Sequence, residues 1–347
     1  MTKLLGIGMV GAGMVGQLAH LANFAEIPGC RVVALAELRP DLGQSAATRF
    51  GVPRLYDSHR TLLQDPEVEA VVVVTKRPAT GPVVLDCLAA GRHVLSEKPM
   101  AHTVEQAERL AQAAEAAGRI YSVGYMKRHD AGTHKAKALF DHYVASGELG
   151  AVLTLRLASW CGEFACGTGG FVMTPEPRPD GLELWPTAPD WLPAERAEDY
   201  AWFLNVFCHD LNLLRHLLGR TPEPRYADFT RRNGRVAAFD GGGFPVVMEF
   251  GEQQGTAWTE GVEIVFERGR LTLDFVSPLV RNQPARVTLT RGTEVTRFDL
   301  GWSWSFKRQA EAFVADIRQT RTPLASGSDS VEDLRLAERL WRLALGL

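Results

Sequence analysis

The stretch LLGIGMVGAGMVG at residues 4–16 is the part of the chain that decides its fold. An apolar run at 4–10 predicts a strand, the glycine-rich turn GAGMVG follows at 11–16, and a helical run extends to about residue 24. A second apolar run, RVVALA at 31–36, ends at Glu37. Strand, glycine turn, helix, strand and acid, in that order, are typical of the opening of a doubly wound α/β domain with a parallel sheet.

The three glycines of the turn have separate physical roles. Gly11 permits the tight turn, Gly13 allows a pyrophosphate to approach the backbone at the helix N-terminus, and Gly16 lets the helix pack close to the strand. The carboxylate of Glu37 lies where it can accept hydrogen bonds from the adenosine ribose hydroxyls, about 20 residues beyond the turn. We therefore predict a dinucleotide site formed by Gly11, Gly13, Met14, Val15, Gly16 and Glu37.

Glu37 also favours NAD over NADP. A carboxylate beside the 2′-phosphate of NADP would place two like charges together, which is costly where water is excluded. Arg39 lies two residues further on and opposes this effect.

Composition limits the class of protein. A chain of 347 residues is long enough for two domains, and 46% hydrophobic with 23% charged residues is ordinary for a globular protein. The net charge of -3, with no basic block, argues against nucleic acid as a partner, and no apolar run is long enough to span a membrane. The apolar stretch after Lys3 is glycine-rich and serves as the first strand, so we do not interpret it as a signal peptide.

The cysteines indicate a cytoplasmic protein without a metal site. Their number is odd, and no CxxC pair occurs, so we expect reduced thiols rather than disulfides or zinc ligands. They are Cys30, Cys87, Cys161, Cys166 and Cys208.

Alternation of strands and helices continues to about residue 126 and completes the first domain, 1–126. We predict strands at 54–56, 70–75, 92–96 and 120–124, and helices at 40–50, 58–64, 82–90 and 103–117. The ligand of such a sheet lies at the carboxyl ends of its strands. These ends carry Thr75, the triplet Glu97-Lys98-Pro99, and Lys127 with Arg128. Pro99 restricts Lys98 to extended geometry, which directs the lysine to the crevice; the alternative is a surface salt bridge with Glu97.

The Gly11–Gly16 turn, the Glu97-Lys98-Pro99 triplet and Thr75, sixteen residues before Gly91, together resemble the Gfo/Idh/MocA family, named for glucose–fructose oxidoreductase and inositol dehydrogenase. The resemblance extends to about Gly219. It implies a nicotinamide cofactor, a C-terminal α+β domain with an open, mostly antiparallel sheet, and substrates that are usually sugars or cyclitols. It also implies cofactor contacts from Thr75, Thr80, Glu97 and Lys98. Family members often carry a proline after Thr75 and a histidine at the position of Thr80; Lys76 and Thr80 stand there in this chain, which predicts different nicotinamide contacts.

The second domain, 127–347, opens with a predicted helix at 130–145 and a strand at 152–159. Residues 161–200 then break the pattern with six prolines: Pro175, Pro177, Pro179, Pro186, Pro189 and Pro193. A loop of this length is typical of a lid that closes on substrate. Trp160 and Trp202 flank it, and their rings suit either stacking on a sugar or core and subunit contacts.

The helix predicted from Trp202 to Gly219 carries the candidate proton acceptor. Four polar side chains fall on one of its faces, at Asn205, His209, Asn212 and His216. Such a face is either solvated or catalytic. The family carries an aspartate, three residues and a histidine on the helix that faces the nicotinamide; His209 matches the histidine, and Asn205 stands at the aspartate. Asparagine can orient an imidazole but supports its cation less than a carboxylate does, and Asp210 points about 100° away around the helix.

Further strands at 246–250, 262–266 and 270–275 complete an antiparallel sheet, and helices at 306–318 and 331–345 follow, the last with Ser330 as its cap. One face of such a sheet needs cover, which predicts a homodimer or homotetramer formed through the C-terminal sheet.

These observations together predict an NAD-dependent oxidoreductase that oxidises a secondary hydroxyl of a sugar, cyclitol or amino-sugar derivative, or reduces the ketone. Lys98, His209 and Asn205 are the catalytic candidates, and Lys127, Arg128 and Trp160 join them in contacting substrate. Two alternatives remain: glycoside cleavage by transient oxidation and elimination, and a non-enzymatic co-regulator that binds the nucleotide. The second alternative predicts loss of Lys98 and His209, and both are present.

Overall fold

The computed structural model describes residues 3–166, 168–177, 180, 182–254 and 258–347. Pro179, one of the six loop prolines, lies outside these residues. The chain divides into two compact units, and each is discontinuous in sequence. Unit 1 consists of Met1–Tyr125, Gly169–Ala201 and Phe306–Leu334, and unit 2 of Met126–Thr168, Trp202–Ser305 and Arg335–Leu347.

Unit 1 contains a parallel sheet that confirms the predicted Rossmann-type fold. Its strands are β1 Leu5–Val10, β2 Cys30–Ala36, β3 Arg54–Tyr56, β4 Ala70–Val73, β5 His93–Ser96 and β6 Tyr121–Val123. They lie in the order β3-β2-β1-β4-β5-β6, so the order reverses at β1 and β4. That reversal opens the crevice in which doubly wound sheets bind nucleotides.

The helices of unit 1 lie mostly where the apolar patterns predict them. They are a π-helix Gly16–Leu21 that runs into α1 Ala22–Phe24, then α2 Pro40–Phe50, α3 His59–Leu62, α4 Arg77–Ala89 and α5 Val104–Ala117. Ser58 caps α3, its hydroxyl accepting from the Thr61 amide at 3.2 Å, and Thr103 caps α5 in the same way. No residue pattern indicated the π-helical turns of the first helix.

The start of α4 corrects the sequence prediction. We expected a helix from Pro82, because proline is common in the first turn. The helix instead begins at Arg77, and Pro82 lies inside it. Since Pro82 has no amide hydrogen, the carbonyl of Pro78 loses its helical partner. The backbone amide of Trp185 donates to that carbonyl at 2.8 Å, so a residue of the long loop completes the helix.

Residues far along the chain complete the core of unit 1. Helix α8, Ser305–Gln319, inserts Ala310, Phe313 and Val314 among the buried side chains of β1, β2 and the first helix. The rings of Phe24 and Phe313 meet edge to face at 6.3 Å. This apolar face of α8 explains why residues 306–334 pack with the N-terminal sheet.

Unit 2 is built on an open, mostly antiparallel sheet, as predicted. Its strands are β7 Val152–Cys161, β8 Glu223–Asp228, β9 Arg235–Asp240, β10 Pro245–Glu252, β11 Thr259–Phe266, β12 Gly269–Phe275, β13 Arg286–Arg291 and β14 Glu294–Arg297. They lie in the order β14-β13-β12-β11-β7-β10-β9-β8, with a parallel pair at β7 and β10. Along β11, buried and half-buried residues alternate, which shows that the sheet covers a core on one face.

Three long helices accompany the sheets. They are α6 Ala131–Ser146, α7 Ala197–Leu218 and α9 Gly327–Leu345, and a 3₁₀ turn, Met126–His129, precedes α6. Helix α7 begins five residues before the predicted Trp202. The prediction that Ser330 caps the last helix is wrong, because that helix starts at Gly327 and Ser330 lies within it. The cap is Ser326, whose hydroxyl accepts from the Asp329 amide at 3.1 Å.

Candidate active site

The glycine turn of unit 1 has the geometry that its sequence predicts. Gly11 has a φ of +94°, and a Cβ there would lie 2.2 Å from the Val74 carbonyl oxygen. A Cβ on Gly13 would meet no heavy atom within 4 Å, so open space adjoins this part of the turn. Gly16 differs in detail, because its Cβ would lie 2.6 Å from the Gly11 carbonyl oxygen rather than against the strand. Gly11 and Gly16 are therefore required by close backbone contacts, and Gly13 borders open space.

Glu37 lies directly after β2 and is 7% exposed. One carboxylate oxygen accepts from the Ala12 amide at 2.8 Å, and the other accepts from the Arg39 side chain at 2.8 Å. The acid thus joins the end of the second strand to the glycine turn. Each oxygen has two lone pairs, so ribose hydroxyls could still donate to it.

A fixed acid precedes the candidate lysine at the end of β5. Glu97 accepts from His20 Nε2 at 2.8 Å and from the Lys98 amide at 3.2 Å. Burial alone would raise the pKa of Glu97, but these hydrogen bonds and the charges of His20 and Lys98 hold it below its usual value. The Glu97 side chain is therefore hydrogen-bonded to His20, and Lys98 is half-buried at the strand end.

The residues after β4 lie near this edge of the sheet as well. The hydroxyls of Thr75 and Thr80 are 3.1 Å apart, and Thr80 is buried. Met14 and Val15, which follow Gly13, are half-buried and begin the helix. Together with the open space at Gly13 and the carboxylate of Glu37, these residues fit a dinucleotide: small backbone for the pyrophosphate and an acid for the ribose.

In unit 2, helix α7 carries the predicted polar face, and this face is largely enclosed. Asn212 is 1% exposed, and its side-chain oxygen accepts from Arg128 Nε at 2.7 Å. Asn205 and His209 are half-buried on the same helix. The opposite face is apolar and buried, with Leu204 and Phe207 among its residues. A freely solvated polar face does not describe this helix.

A buried group of charges, which we call the Lys127 cluster, lies beside this face and was not expected. It consists of Lys127, Asp210 and Glu260. Lys127 forms an ion pair with Glu260, and its Nζ lies 3.7 Å from Asp210. The indole of Trp258 donates to the second oxygen of Glu260 at 2.9 Å. Asp210 therefore shares a buried cation with a second acid.

The Lys127 cluster changes the protonation of its members. Burial and the neighbouring charge of Glu260 raise the pKa of Asp210 well above its usual value, although Lys127 acts in the opposite direction. Burial alone would lower the pKa of Lys127, but the two carboxylates raise it. Because one cation serves two acids, the cluster holds a proton on Asp210 more easily than an exposed aspartate would.

A sequence signal for Glu260 exists, although it is separated from Lys127 by 133 residues. The buried residues of β11 alternate as Glu260, Val262, Ile264 and Phe266. An acid in step with an apolar series faces the core, where it needs a cation. Our prediction began this strand at Val262 and therefore missed the acid.

Trp160 lies near the end of β7 and is half-buried. A Cβ on Gly251 of the adjacent strand would lie 2.9 Å from the Trp160 ring, so the ring packs on that glycine. Part of the indole is thus covered by its contact with the neighbouring strand. Its remaining exposed part is what a substrate could contact.

Comparison with known proteins agrees with the geometry of unit 1. Residues 5–125 match the family model Gfo/Idh/MocA, described as an oxidoreductase family with an NAD-binding Rossmann fold. The N-terminal domain belongs to this family. The match covers the glycine turn, Glu37 and the Glu97-Lys98-Pro99 triplet, and it confirms the resemblance drawn from those residues.

Known proteins are similar to this chain over part or all of its length. Inositol 2-dehydrogenase of Pseudomonas fluorescens is 36% identical over 159 residues, which is 44% of this chain and 45% of the relative. The matched stretch thus spans less than half the length of that relative. Aldose–aldose oxidoreductase from Caulobacter crescentus, complexed with glycerol, has a TM-score of 0.77 at 22% identity, covering 99% of this chain and 98% of that one.

A 3-ketoreductase from Actinomadura kijaniata, in complex with TDP-benzene and NADP, has a TM-score of 0.76 at 21% identity, covering 98% of each chain. Likenesses at this identity establish the fold. They show that the C-terminal sheet, as well as the Rossmann domain, has the architecture of solved oxidoreductases.

The described residues contain neither a membrane-spanning helix nor a metal-holding group of side chains. No helix among them combines the length and apolar character needed to cross a membrane. Within the same ranges, no group of three or more histidine, cysteine, aspartate or glutamate side chains is placed to hold a metal ion.

Proposed function

We propose that this protein is an NAD-dependent dehydrogenase that oxidises a secondary hydroxyl of a sugar, cyclitol or amino-sugar derivative, or reduces the corresponding ketone. The observation that carries the proposal is the strand end Ser96-Glu97-Lys98 within a family-matched nucleotide-binding domain. There a half-buried acid is held by His20, and the next residue is a half-buried lysine. The names of two relatives, an inositol 2-dehydrogenase and an aldose–aldose oxidoreductase, support the class of substrate.

The proposed chemistry divides one hydroxyl between two residues. Oxidation removes a proton from the hydroxyl and a hydride from its carbon, which leaves a ketone. His209 takes the proton and returns it in the reverse direction. Lys98 donates a hydrogen bond to the same oxygen and stabilises the negative charge that develops on it. Asn205, one turn before His209 on α7, orients the imidazole. When bound, NAD supplies the hydride acceptor.

Residues of both predicted domains, 1–126 and 127–347, supply contacts in this proposal. The turn Gly11–Gly16, with Glu37, Thr75, Thr80 and Glu97, holds the dinucleotide. Arg128 and Trp160 contact substrate. Lys127 contributes to the same site through the charge of its cluster, because its own ammonium is already held by Glu260.

NAD is the proposed cofactor, in preference to NADP. Glu37 is buried, and Arg39, the nearby cation, already binds it at 2.8 Å. A 2′-phosphate would have to compete with Glu37 for that guanidinium. We further propose a cytoplasmic enzyme that forms a homodimer or homotetramer through the C-terminal sheet.

A screen of sugars, cyclitols and amino sugars with NAD tests the activity. Reduced cofactor should accumulate, as read by its absorbance, with at least one of these substrates. Product formed without accumulation of reduced cofactor would favour cleavage by transient oxidation and elimination. Absence of turnover, despite tight NAD binding, would favour a co-regulator.

Substitution at His209 then tests the proton acceptor. His209→Ala should lower kcat by about 10²- to 10⁴-fold, the range for loss of a general base, while NAD affinity changes little. His216→Ala, on the same helix two turns later, is the matched control and should leave kcat nearly normal. Lys98→Ala should also lower kcat, and the double variant should lose less than the product of the two effects, because both residues act on one oxygen. Near-normal kcat in His209→Ala would assign the histidine to packing.

A further inference from the structure

Part of the proline-rich loop belongs to the nucleotide-binding unit. Residues 169–201 fall in unit 1, although they follow β7 of unit 2 in sequence. We call the described residues 169–177 and 182–186 the strap. The strap contacts the first helix, α2, α4 and α5 through separate hydrogen bonds.

Its first attachment is to the helix that follows the glycine turn. The amide of Val172 donates to Gln17 Oε1 at 2.8 Å, and Gln17 Nε2 donates to the Val172 carbonyl at 3.0 Å. The same nitrogen of Gln17 donates to the Ala12 carbonyl at 2.7 Å. Gln17 is 1% exposed, so this side chain couples the strap to the turn from the interior.

Its second attachment is Trp185, whose amide completes α4 at the carbonyl of Pro78. The Trp185 ring packs against Gly81, where a Cβ would come within 2.2 Å of it. The guanidinium of Arg109 lies over the ring at 5.4 Å from its centroid. With attachments on both sides, the strap residues between them are held against unit 1.

Between these attachments, Glu176 caps α2. The residue at the N-cap of α2 is Arg39, whose side chain offers no acceptor, and Pro40 follows it. The amides of Asp41 and Leu42 instead donate to the two oxygens of Glu176, at 3.0 and 2.9 Å. Thr174 adds a third hydrogen bond at 2.9 Å. A carboxylate more than 130 residues away in sequence thus occupies the amides that begin α2.

The charges around this cap are arranged about one guanidinium. Arg39 is bound by Glu37, and its charge also reaches Glu176. Burial would raise the pKa of Glu176, but the two amide hydrogen bonds, Thr174 and Arg39 hold it below its usual value, so the group is ionised at neutral pH. Two carboxylates, from Glu37 and the strap, therefore share one cation.

We propose that Glu176 is a second determinant of NAD over NADP, acting together with Glu37. The inference rests on the dinucleotide site of the proposed function. A 2′-phosphate beside Glu37 would need cations and free amides. Arg39 and the amides of Asp41 and Leu42 are the donors that follow Glu37 in the chain, and carboxylates engage all three. The strap therefore rejects the extra phosphate by charge and by occupying its donors.

Binding of NAD and NADP, measured by titration calorimetry without substrate, tests the inference. Glu176→Gln removes the charge and keeps an acceptor for α2. The ratio of the NADP to the NAD dissociation constant should fall by about 10-fold or more, as expected when a nearby like charge is removed. Glu183→Gln, which removes the same charge from an exposed position of the strap, is the control and should leave the ratio within about twofold.

Limited proteolysis of each variant without cofactor supplies the second readout. Unchanged cleavage within residues 169–186 of Glu176→Gln would show that the strap is still attached, so that a changed ratio reports charge. An unchanged ratio with an attached strap overturns the inference while leaving the dehydrogenase intact. If the wild-type protein binds neither dinucleotide, the proposed function itself fails. Equal shifts in Glu176→Gln and Glu183→Gln would indicate net charge rather than this site and would also overturn the inference.

Discussion

Replacing Lys127 by methionine should destabilise unit 2 strongly. The Lys127 side chain is 7% exposed, and those of Glu260 and Asp210 are 1% exposed each. Methionine keeps most of the volume but removes the cation, which leaves the carboxyl groups of Glu260 and Asp210 in the interior without it. Removal of one partner from a buried ion pair costs about 3–5 kcal/mol, because the remaining charge is uncompensated. A hydrophobic isostere therefore gains too little from its own burial to offset the loss.

The control is a lysine of the same domain on the surface. Lys137 binds Asp141 at 2.6 Å, four residues later on α6, with side chains 24% and 55% exposed. Loss of such a pair costs about 0.5 kcal/mol or less, because water screens and replaces it. Lys137→Met thus makes the same chemical change at a pair whose attraction is weakened by water.

Hydrogen exchange of the β11 amides is the assay, since β11 carries Glu260. A loss of 3–5 kcal/mol should raise the opening equilibrium by a factor of roughly 10² to 4 × 10³ in Lys127→Met, and less than about threefold in Lys137→Met. Urea unfolding followed by tryptophan fluorescence gives an independent value. Similar exchange in the two variants would refute the argument that the pair is buried and ionic.

The same argument predicts how the loss of stability in Lys127→Met changes with pH. A carboxyl whose pKa is raised on folding stabilises the protein below its unfolded pKa and loses that contribution as the pH rises through its folded pKa. Asp210 is such a group, and loss of the Lys127 charge, which lowers its pKa, moves it further in this direction. The deficit of Lys127→Met should accordingly be smaller near pH 5 than near pH 8. A deficit independent of pH would show that lost packing, rather than charge, dominates.

Two further predictions concern the turn and the histidine. Gly13→Ala should fold with wild-type stability, because its Cβ meets no heavy atom within 4 Å, but it should weaken NAD binding. Gly16→Ala should lower stability, because its Cβ would lie 2.6 Å from a carbonyl oxygen. Thermal unfolding and NAD titration separate the two, and equal loss of stability would contradict the geometry. Asn205→Asp should move the acid limb of the pH–rate profile to higher pH, because a carboxylate favours the imidazolium of His209. An unmoved limb would show that residue 205 does not act through His209.

Local patterns in the sequence predicted most of the Rossmann domain. The turn, both flanking strands and the helix Pro40–Phe50 follow from glycine geometry and apolar periodicity, which depend on neighbours in the chain. The cap at Ser58 follows for the same reason. Where neighbours decide the conformation, a single sequence is informative.

Features that depend on distant partners could not be predicted in this way. The start of α4 before Pro82 requires an amide from residue 185, and the capping of α2 requires a carboxylate from residue 176. The pairing of Lys127 with Glu260 depends on the register of β11 and β7 in the sheet. Ser330 has the right residue type for a cap, but the chain offers Ser326 four residues earlier. In each case, tertiary contact selected among locally acceptable choices.

The strap packs with unit 1 through backbone groups of α2 and α4 that these helices leave without a partner of their own. The first amides of α2 follow an arginine N-cap that offers no acceptor, and Pro82, inside α4, leaves the Pro78 carbonyl without its helical amide. Unfilled positions of this kind are costly when water is excluded. Glu176 and Trp185 fill them, and so the strap and the helices form one hydrogen-bonded unit. These attachments hold the carboxylate of Glu176 at the N-terminus of α2, where the charge of Arg39 acts on it.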